Sequence, residues 1–390
     1  MESFNYSIKT EIYFGKGKIS NLGDILLKYG KSVLLVYGGG SIKKIGLYDK
    51  AKEILNKNNI KCIELSGVEP NPRIDTVRKG VNLVRENNID IILPIGGGST
   101  IDCAKAISGA SFYDGDPWDI VKDPKKIPNK VIPIVSILTL AATGSEMDPF
   151  AVISNMDTNE KLGLSNENLR PVASILDPEY TYSVPKSQTA AGTCDIMSHV
   201  FEAYFTRKDD AYLQDRMAEA VLKTCIEYGI VAYNDPENYD ARANLMWASS
   251  LAINGLLSCG KDNTAWSVHP IEHELSAYYD ITHGVGLAIL TPHWMRFVLN
   301  DNTVDKFVKF GINVWDIDKT LPKYEIANLA INMTEEYFGK LNVPKSLSEL
   351  NIDNKNFEIM AEKAVEHGGL KYAYVPLSKD DVVEIFNKSL

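Results

Sequence analysis

Cysteine is scarce and poorly placed for cross-linking. The five thiols, Cys62, Cys103, Cys194, Cys225 and Cys259, are odd in number, far apart and include no C-x-x-C pair. That argues against a disulfide framework or a thiolate metal site and fits a reducing compartment. Basic surplus is missing too. Lys and Arg total 41 against 51 Asp and Glu, a formal net charge of -10, which argues against nucleic acid, whose affinity rests on displacing counterions with cations. Local basic runs such as residues 122–130 read as solvated loop. No stretch reaches the ~20 apolar residues of a membrane span. Met1-Glu2-Ser3-Phe4-Asn5 places no basic segment ahead of an apolar core, so a cytoplasmic protein without membrane partners is expected. Low-complexity tracts and internal repeats are absent. What remains is ordinary for a folded protein, 45% apolar and 24% charged. At 390 residues the chain exceeds what one core usually organises, so two domains are expected.

The hydrophobic patterning changes half-way. Short β-branched runs at 32–37, 61–65, 89–95, 131–135, 151–154 and 173–176 alternate with helical periodicity at 46–58 and 74–87, the latter with Val77, Val81 and Val84 on one stripe. Such alternation indicates βαβ units and a parallel sheet, with 151–154 and 173–176 near its edge. Beyond Pro185 strands vanish. Amphipathic segments at 189–205, 211–228, 239–257, 324–340, 357–367 and 379–388 predict an all-helical half. Proline restricts its predecessor to extended conformations and begins helices well, so the boundary falls at Val184-Pro185-Lys186. The expected organisation is an α/β domain over 1–185 and an all-α domain over 186–390.

Two strands of the first half run into glycines: Gly38-Gly39-Gly40-Ser41 and Gly96-Gly97-Gly98-Ser99-Thr100-Ile101-Asp102. In open α/β sheets, ligands gather at the carboxyl ends of strands, where a helix N-terminus offers free N–H groups to an anion. A tight turn is the plain alternative for one such loop. Two loops on neighbouring strands favour a dinucleotide. Neither is G-x-G-x-x-G. The first supplies small residues and a hydroxyl, followed by Lys43 and Lys44, where an NAD site normally places a carboxylate for the ribose 2′-hydroxyl. That environment tolerates a 2′-phosphate, and NADP(H) is the expected cofactor.

Histidine is scarce, six in the chain, yet three fall between 269 and 283. Asp195 and His199 stand four apart. On a helix that separation places their Cβ atoms roughly 5–6 Å apart on one face, within reach of a single cation, and the same arithmetic pairs His269 with His273. His283, just before Gly284, is expected where a helix has been left. A lone Asp/His pair is more often an ordinary helix hydrogen bond; the clustering argues for metal. Three imidazoles and a carboxylate suit iron(II) or zinc and leave an open, catalytic coordination position. Cys194 neighbours Asp195 but points about 100° away, and is expected to pack.

With these pieces in order along the chain, joined by Pro70-Asn71-Pro72, Thr143-Gly144-Ser145-Glu146 and Leu176-Asp177-Pro178, the sequence resembles the iron-containing (group III) alcohol dehydrogenases. Within them it is most similar to the NADPH-dependent butanol dehydrogenases. The resemblance implies a dinucleotide-binding domain, a helical metal-binding domain, a cleft between them and a homodimer, with the strand over residues 8–14 offering an edge to a second copy. It implies Asp195, His199, His269 and His283 as metal ligands, with His273 beside them as a proton relay. Gly96, Gly97, Gly98, Ser99 and Asp102 would serve the pyrophosphate loop, and Asn71 the adenosine ribose. Gly38, Gly39, Gly40 and Ser41 would meet the 2′-phosphate, and Thr139, Thr143 and Lys161 the nicotinamide. One departure is Asp148, where relatives resemble Ser-Glu-x-Asn. The implied reaction interconverts short aliphatic aldehydes such as butanal with primary alcohols, and the apolar neighbourhood of Phe150, Leu257 and Trp266 suits such substrates. An NAD-dependent polyol dehydrogenase, a cyclising sugar-phosphate lyase and a non-catalytic metal-and-nucleotide-binding regulator are the competing readings; basic residues for a lyase's phosphate are not evident.

Overall fold

The computed structural model describes all 390 residues and divides into two compact units. One comprises Ser7–Val184 with Pro236–Ser250. Its sheet contains β1 (Glu11–Phe14), β2 (Ser32–Tyr37), β3 (Lys61–Ser66), β4 (Ile91–Gly96), β5 (Val135–Leu138) and, after the hairpin of β6 (Phe150–Asn155) and β7 (Glu160–Ser165), β8 (Ala173–Leu176). The six-stranded order is β1-β8-β5-β4-β2-β3, parallel at every pairing. Successive residues of a strand face opposite ways. On β2, Leu34 and Val36 enter a core with Val77, Ala104 and Ile107, while Val33 and Leu35 enter another with Leu22, Ala51 and Leu55. Both faces are therefore covered, and the strand reads as a continuous apolar run.

Helices α1 (Leu22–Leu27), α2 (Ser41–Lys44), α3 (Leu47–Lys57), α4 (Ile74–Asn87), α5 (Gly98–Ala110) and α6 (Pro117–Lys122) supply these coverings. Two strand expectations are corrected. Residues 151–154 do not join the main sheet; β6 pairs antiparallel with β7, Ser154 opposite Lys161. The strand expected at 131–135 begins instead at Val135, because Pro133 has no N–H for the ladder and contributes only its carbonyl, to Ile92 N at 3.0 Å.

The second unit comprises Met1–Tyr6, Pro185–Asp235 and Leu251–Leu390. It holds α7 (Lys186–Tyr204), α8 (Tyr212–Asn234), the end of α9 (Tyr239–Ile253), α10 (Val268–Tyr279), α11 (His283–Val298), α12 (Val304–Trp315), α13 (Lys323–Lys340), α14 (Phe357–Gly368) and α15 (Lys379–Lys388). From Thr189 to Tyr204 every residue of α7 is buried, so it forms the axis on which α8 and α11 pack. Most of α9, grouped by its periodicity with the helical half, lies in the α/β unit: Met246 packs with Ile101, Leu138 and Leu176.

Candidate active site

Asp195 and His199 occupy the buried middle of α7, with His199 Nε2 3.7 Å from Asp195 Oδ1. The i, i+4 relation on a helix face produces that approach directly. His269 stands in the first turn of α10, and its ring stacks on that of His199 at 4.7 Å. Asp195, His199 and His269 each offer a ligand atom within 4.8 Å of the others. Helix α10 has been left at Tyr279, as expected, and His283 opens the next helix, α11, with Thr282 as its extended N-cap. Its Nε2 lies 3.8 Å from Asp195 Oδ1. Gly284 explains the approach, since a Cβ there would sit 2.7 Å from the Ala191 carbonyl carbon on α7. Here glycine permits close helix packing; it does not mark a turn.

The donor set fits a divalent cation. Burial holds the His199 imidazole well below its usual pKa, and the neighbouring His269 and His283 rings lower it further, so the ring stays neutral with a lone pair to offer. Within the buried cluster His199 Nδ1 and His269 Nε2 have no hydrogen-bond partner in the protein, a costly arrangement unless something else satisfies one of them. A glutamate contacts each of two ligand histidines from behind: Glu202 Oε1 lies 3.1 Å from His269 Nδ1, and Glu272 Oε2 touches His283 Nδ1. His273 is the neighbour, its ring centroid 6.4 Å from that of His269 and 5.5 Å from that of His283. Cys194 is fully buried on α7.

In the α/β unit, β4 ends at Gly96 and α5 begins at Gly98, with Gly97 as an extended N-cap making no side-chain bond. Thr100 N and Ile101 N donate to Gly97 O, which leaves the Gly98 and Ser99 N–H groups to face an anion. Thr139 N donates to Gly96 O at 2.9 Å, and a Cβ at Gly98 would collide with Thr143, so these positions share one loop cluster. After β2, Gly39 is exposed and a Cβ on it would meet nothing within 4 Å. Gly40 adopts φ 102° ahead of Ser41, the start of α2. Asn71 also has left-handed backbone, φ 51°. Both loops fit a cofactor carrying phosphates.

Behind α5 lies a buried charge cluster that includes Asp148. Lys105 Nζ, fully buried, donates to Ser145 Oγ at 2.8 Å, Asp148 Oδ1 at 2.7 Å and Phe150 O at 2.7 Å. Asp102 accepts from Ser145 Oγ at 2.6 Å and Val152 N at 2.9 Å; the contacts of this side chain tie α5 to β6. Burial pushes Asp148 up to about 7, Asp102 adds to the rise and Lys105 opposes it. The native chain therefore keeps a proton that the unfolded chain loses near pH ~4, and stability contributed by that proton is lost as pH rises towards 7. In chemical denaturation between pH 5 and 8, Asp148→Asn should show a flatter stability profile than the parent; parallel profiles would contradict the assignment.

The sequence pattern described as "Iron-containing alcohol dehydrogenase" matches residues 9–178, and "Fe-containing alcohol dehydrogenase family, C-terminal" matches residues 189–390. The chain belongs to the iron-containing alcohol dehydrogenase family. Membership makes it an oxidoreductase of the alcohol dehydrogenase type and implies a metal and a nicotinamide cofactor. It is 62% identical, over 100% of both chains, to NADH-dependent butanol dehydrogenase A of Clostridium acetobutylicum. It is 39% identical, over 94% of each chain, to the NADPH-dependent aldehyde reductase YqhD of Escherichia coli. The crystal structure of NADH-dependent butanol dehydrogenase A from Thermotoga maritima matches with a TM-score of 0.95 at 35% identity, covering 100% of this chain and 99% of that one.

Within this iron-containing alcohol dehydrogenase, Lys161 is a buried residue of β7, and Ser99 lies in the first turn of α5. Of the three apolar residues expected near substrate, Trp266 packs tilted against His269 with ring centroids 4.6 Å apart, Leu257 is buried, and Phe150 is exposed in the other unit. Glu202 and Glu272 escape sequence reasoning. The available signal is their spacing, Glu202 three residues after His199 and Glu272 directly before His273.

Proposed function

We propose that this chain is a metal-dependent, nicotinamide-linked reductase of short aliphatic aldehydes that interconverts butanal and 1-butanol. The observation that carries the reading is the buried cluster of Asp195, His199 and His269, with Nε2 of the half-buried His283 3.8 Å from Asp195 Oδ1. When bound, a divalent cation supplies a Lewis acid for an aldehyde oxygen, and the nicotinamide supplies hydride. Asp195 contributes the negative charge of the ligand set, and the three imidazoles contribute neutral nitrogen donors, a set that accepts iron or zinc. Trp266, against His269, offers an apolar wall to an alkyl chain. His273, beside the ligands, is placed to hand a proton to the product oxygen. The test is a spectrophotometric assay with butanal. Nucleotide consumption that is lost with a chelator and restored by metal supports the reading, whereas tight nucleotide binding without turnover would replace it with a regulator.

The cofactor reading is NADP(H), with NADH use alongside it. No carboxylate follows β2, and Gly39, Ser41 and Lys43 leave room and charge for a 2′-phosphate; the relative names divide, NADH-dependent at 62% identity and NADPH-dependent at 39%. A carboxylate introduced at the open Gly39 position would accept from a ribose 2′-hydroxyl and repel a 2′-phosphate. Gly39→Asp should therefore lower kcat/KM for NADPH by about tenfold or more, since facing like charges costs several kcal/mol, while sparing NADH. Equal loss with both nucleotides would remove Gly39 from the discrimination. The free side of β1, an edge strand paired only with β8, supports a homodimer, for which sedimentation is the check.

A further inference from the structure

Two fully engaged glutamates stand behind the ligand set. Glu202, on α7 one turn beyond His199 and 7% exposed, accepts four hydrogen bonds. Its Oε2 takes Ser267 N at 2.7 Å; its Oε1 takes Val268 N at 2.8 Å, His269 N at 3.0 Å and the His269 imidazole at 3.1 Å. Ser267 makes no side-chain cap for α10, so a carboxylate from another helix satisfies the orphan donors and the positive end of the dipole. Glu272 is fully buried. Its Oε1 accepts from Ser276 Oγ at 2.5 Å and its Oε2 meets His283 Nδ1. A Cβ at Gly286 would lie 2.8 Å from Glu272 Cγ, so glycine there makes room for this carboxylate. His199 differs: its Nδ1 has no hydrogen-bond partner, and its ring is held between Trp266 at 5.7 Å and His269 at 4.7 Å.

We propose that Glu202 and Glu272 are positioning residues of the metal centre, each holding the Nδ1–H of one histidine so that the Nε2 lone pairs of His269 and His283 face Asp195 before any metal arrives. The proposal rests on the metal reading above and deepens it. A neutral imidazole in water carries its proton mainly on Nε2, the wrong nitrogen for this geometry. A carboxylate at Nδ1 reverses that choice, fixes the ring plane and makes Nε2 a stronger donor. His199 has no such carboxylate at Nδ1 and is held there by ring packing. The centre is thus preset at two of its three imidazoles, and its metal affinity depends on two carboxylates that never touch the metal.

The test uses the full chain stripped of metal. Glu202→Gln keeps an acceptor at Oε1 for three of the four bonds, and Glu272→Gln keeps the side-chain volume. Zinc or cobalt affinity, measured by competition with a chromophoric chelator, should weaken by roughly 10- to 100-fold in each. Binding as tight as the parent's in both variants would overturn the proposal, whatever happens to their melting temperatures. A second measurement needs no variant: in 15N spectra of histidine-labelled metal-free parent, two imidazoles should carry the proton on Nδ1. Both His269 and His283 protonated on Nε2 would overturn it equally. A parent that binds neither metal sinks the metal reading itself, a result distinct from either of these.

Discussion

Replacing His269 by alanine should abolish metal-dependent aldehyde reduction while leaving the chain folded. The substitution removes a ligand nitrogen and the ring that stacks on His199 and packs against Trp266. It does not remove the cap of α10, because Glu202 keeps the backbone N–H groups of Ser267, Val268 and residue 269. The expected loss in kcat/KM is roughly 10³-fold, equivalent to ~4 kcal/mol of transition-state stabilisation. Metal content by elemental analysis should fall in parallel, with the helical circular dichroism preserved. A variant with the parent's metal content and rate would refute the assignment of this residue.

Gly284→Ala should damage both stability and metal binding, through a contact no ligand makes. The added methyl would stand 2.7 Å from the Ala191 carbonyl carbon and 3.1 Å from its Cα. Both partners are helix backbone in a buried interface, so no flexible side-chain end can move aside. Overpacking of this kind costs roughly 1–3 kcal/mol, occasionally more. Relief requires α11 to move off α7, which lengthens the 3.8 Å separation of His283 Nε2 from Asp195 Oδ1. The melting temperature should drop, by less per kcal/mol than the ~2–4 °C of a domain of about 150–250 residues, and zinc affinity should fall with it. Unchanged melting and affinity together would show that the helices yield without cost.

Much of this was legible in the sequence, and the exceptions have physical reasons. The limits of β2 and α4, 32–37 and 74–87, coincide with the apolar run and the Val77, Val81, Val84 stripe, because burial on a sheet and on one helix face leaves distinct periods. The Asp195 and His199 approach follows from helix geometry alone. That His283 opens a new helix is not legible, because glycine serves both left-handed turns and close backbone approach, and in sequence the two uses look identical. Helix α11 is apolar almost all round and contains Pro292, so it shows neither a stripe nor an uninterrupted run. By contrast, Val304, Phe307, Phe310 and Val314 form a readable stripe on α12, which the sequence reading leaves unused. Glu202 and Glu272 are hidden for another reason: a glutamate is ordinarily solvated, and only tertiary contacts reveal that these are not.

The path of the chain through α9 constrains how this protein can be recombined with its relatives. A hybrid joined at residue 185 would take its sheet from one parent and Met246, Trp247 and Ser250 from the other. Yet Met246 completes the packing of Ile101, Leu138 and Leu176, Trp247 lies edge-on to Phe14, and Ser250 donates to Glu146. A workable splice must therefore carry residues 236–250 along with the sheet, as a discontinuous cassette.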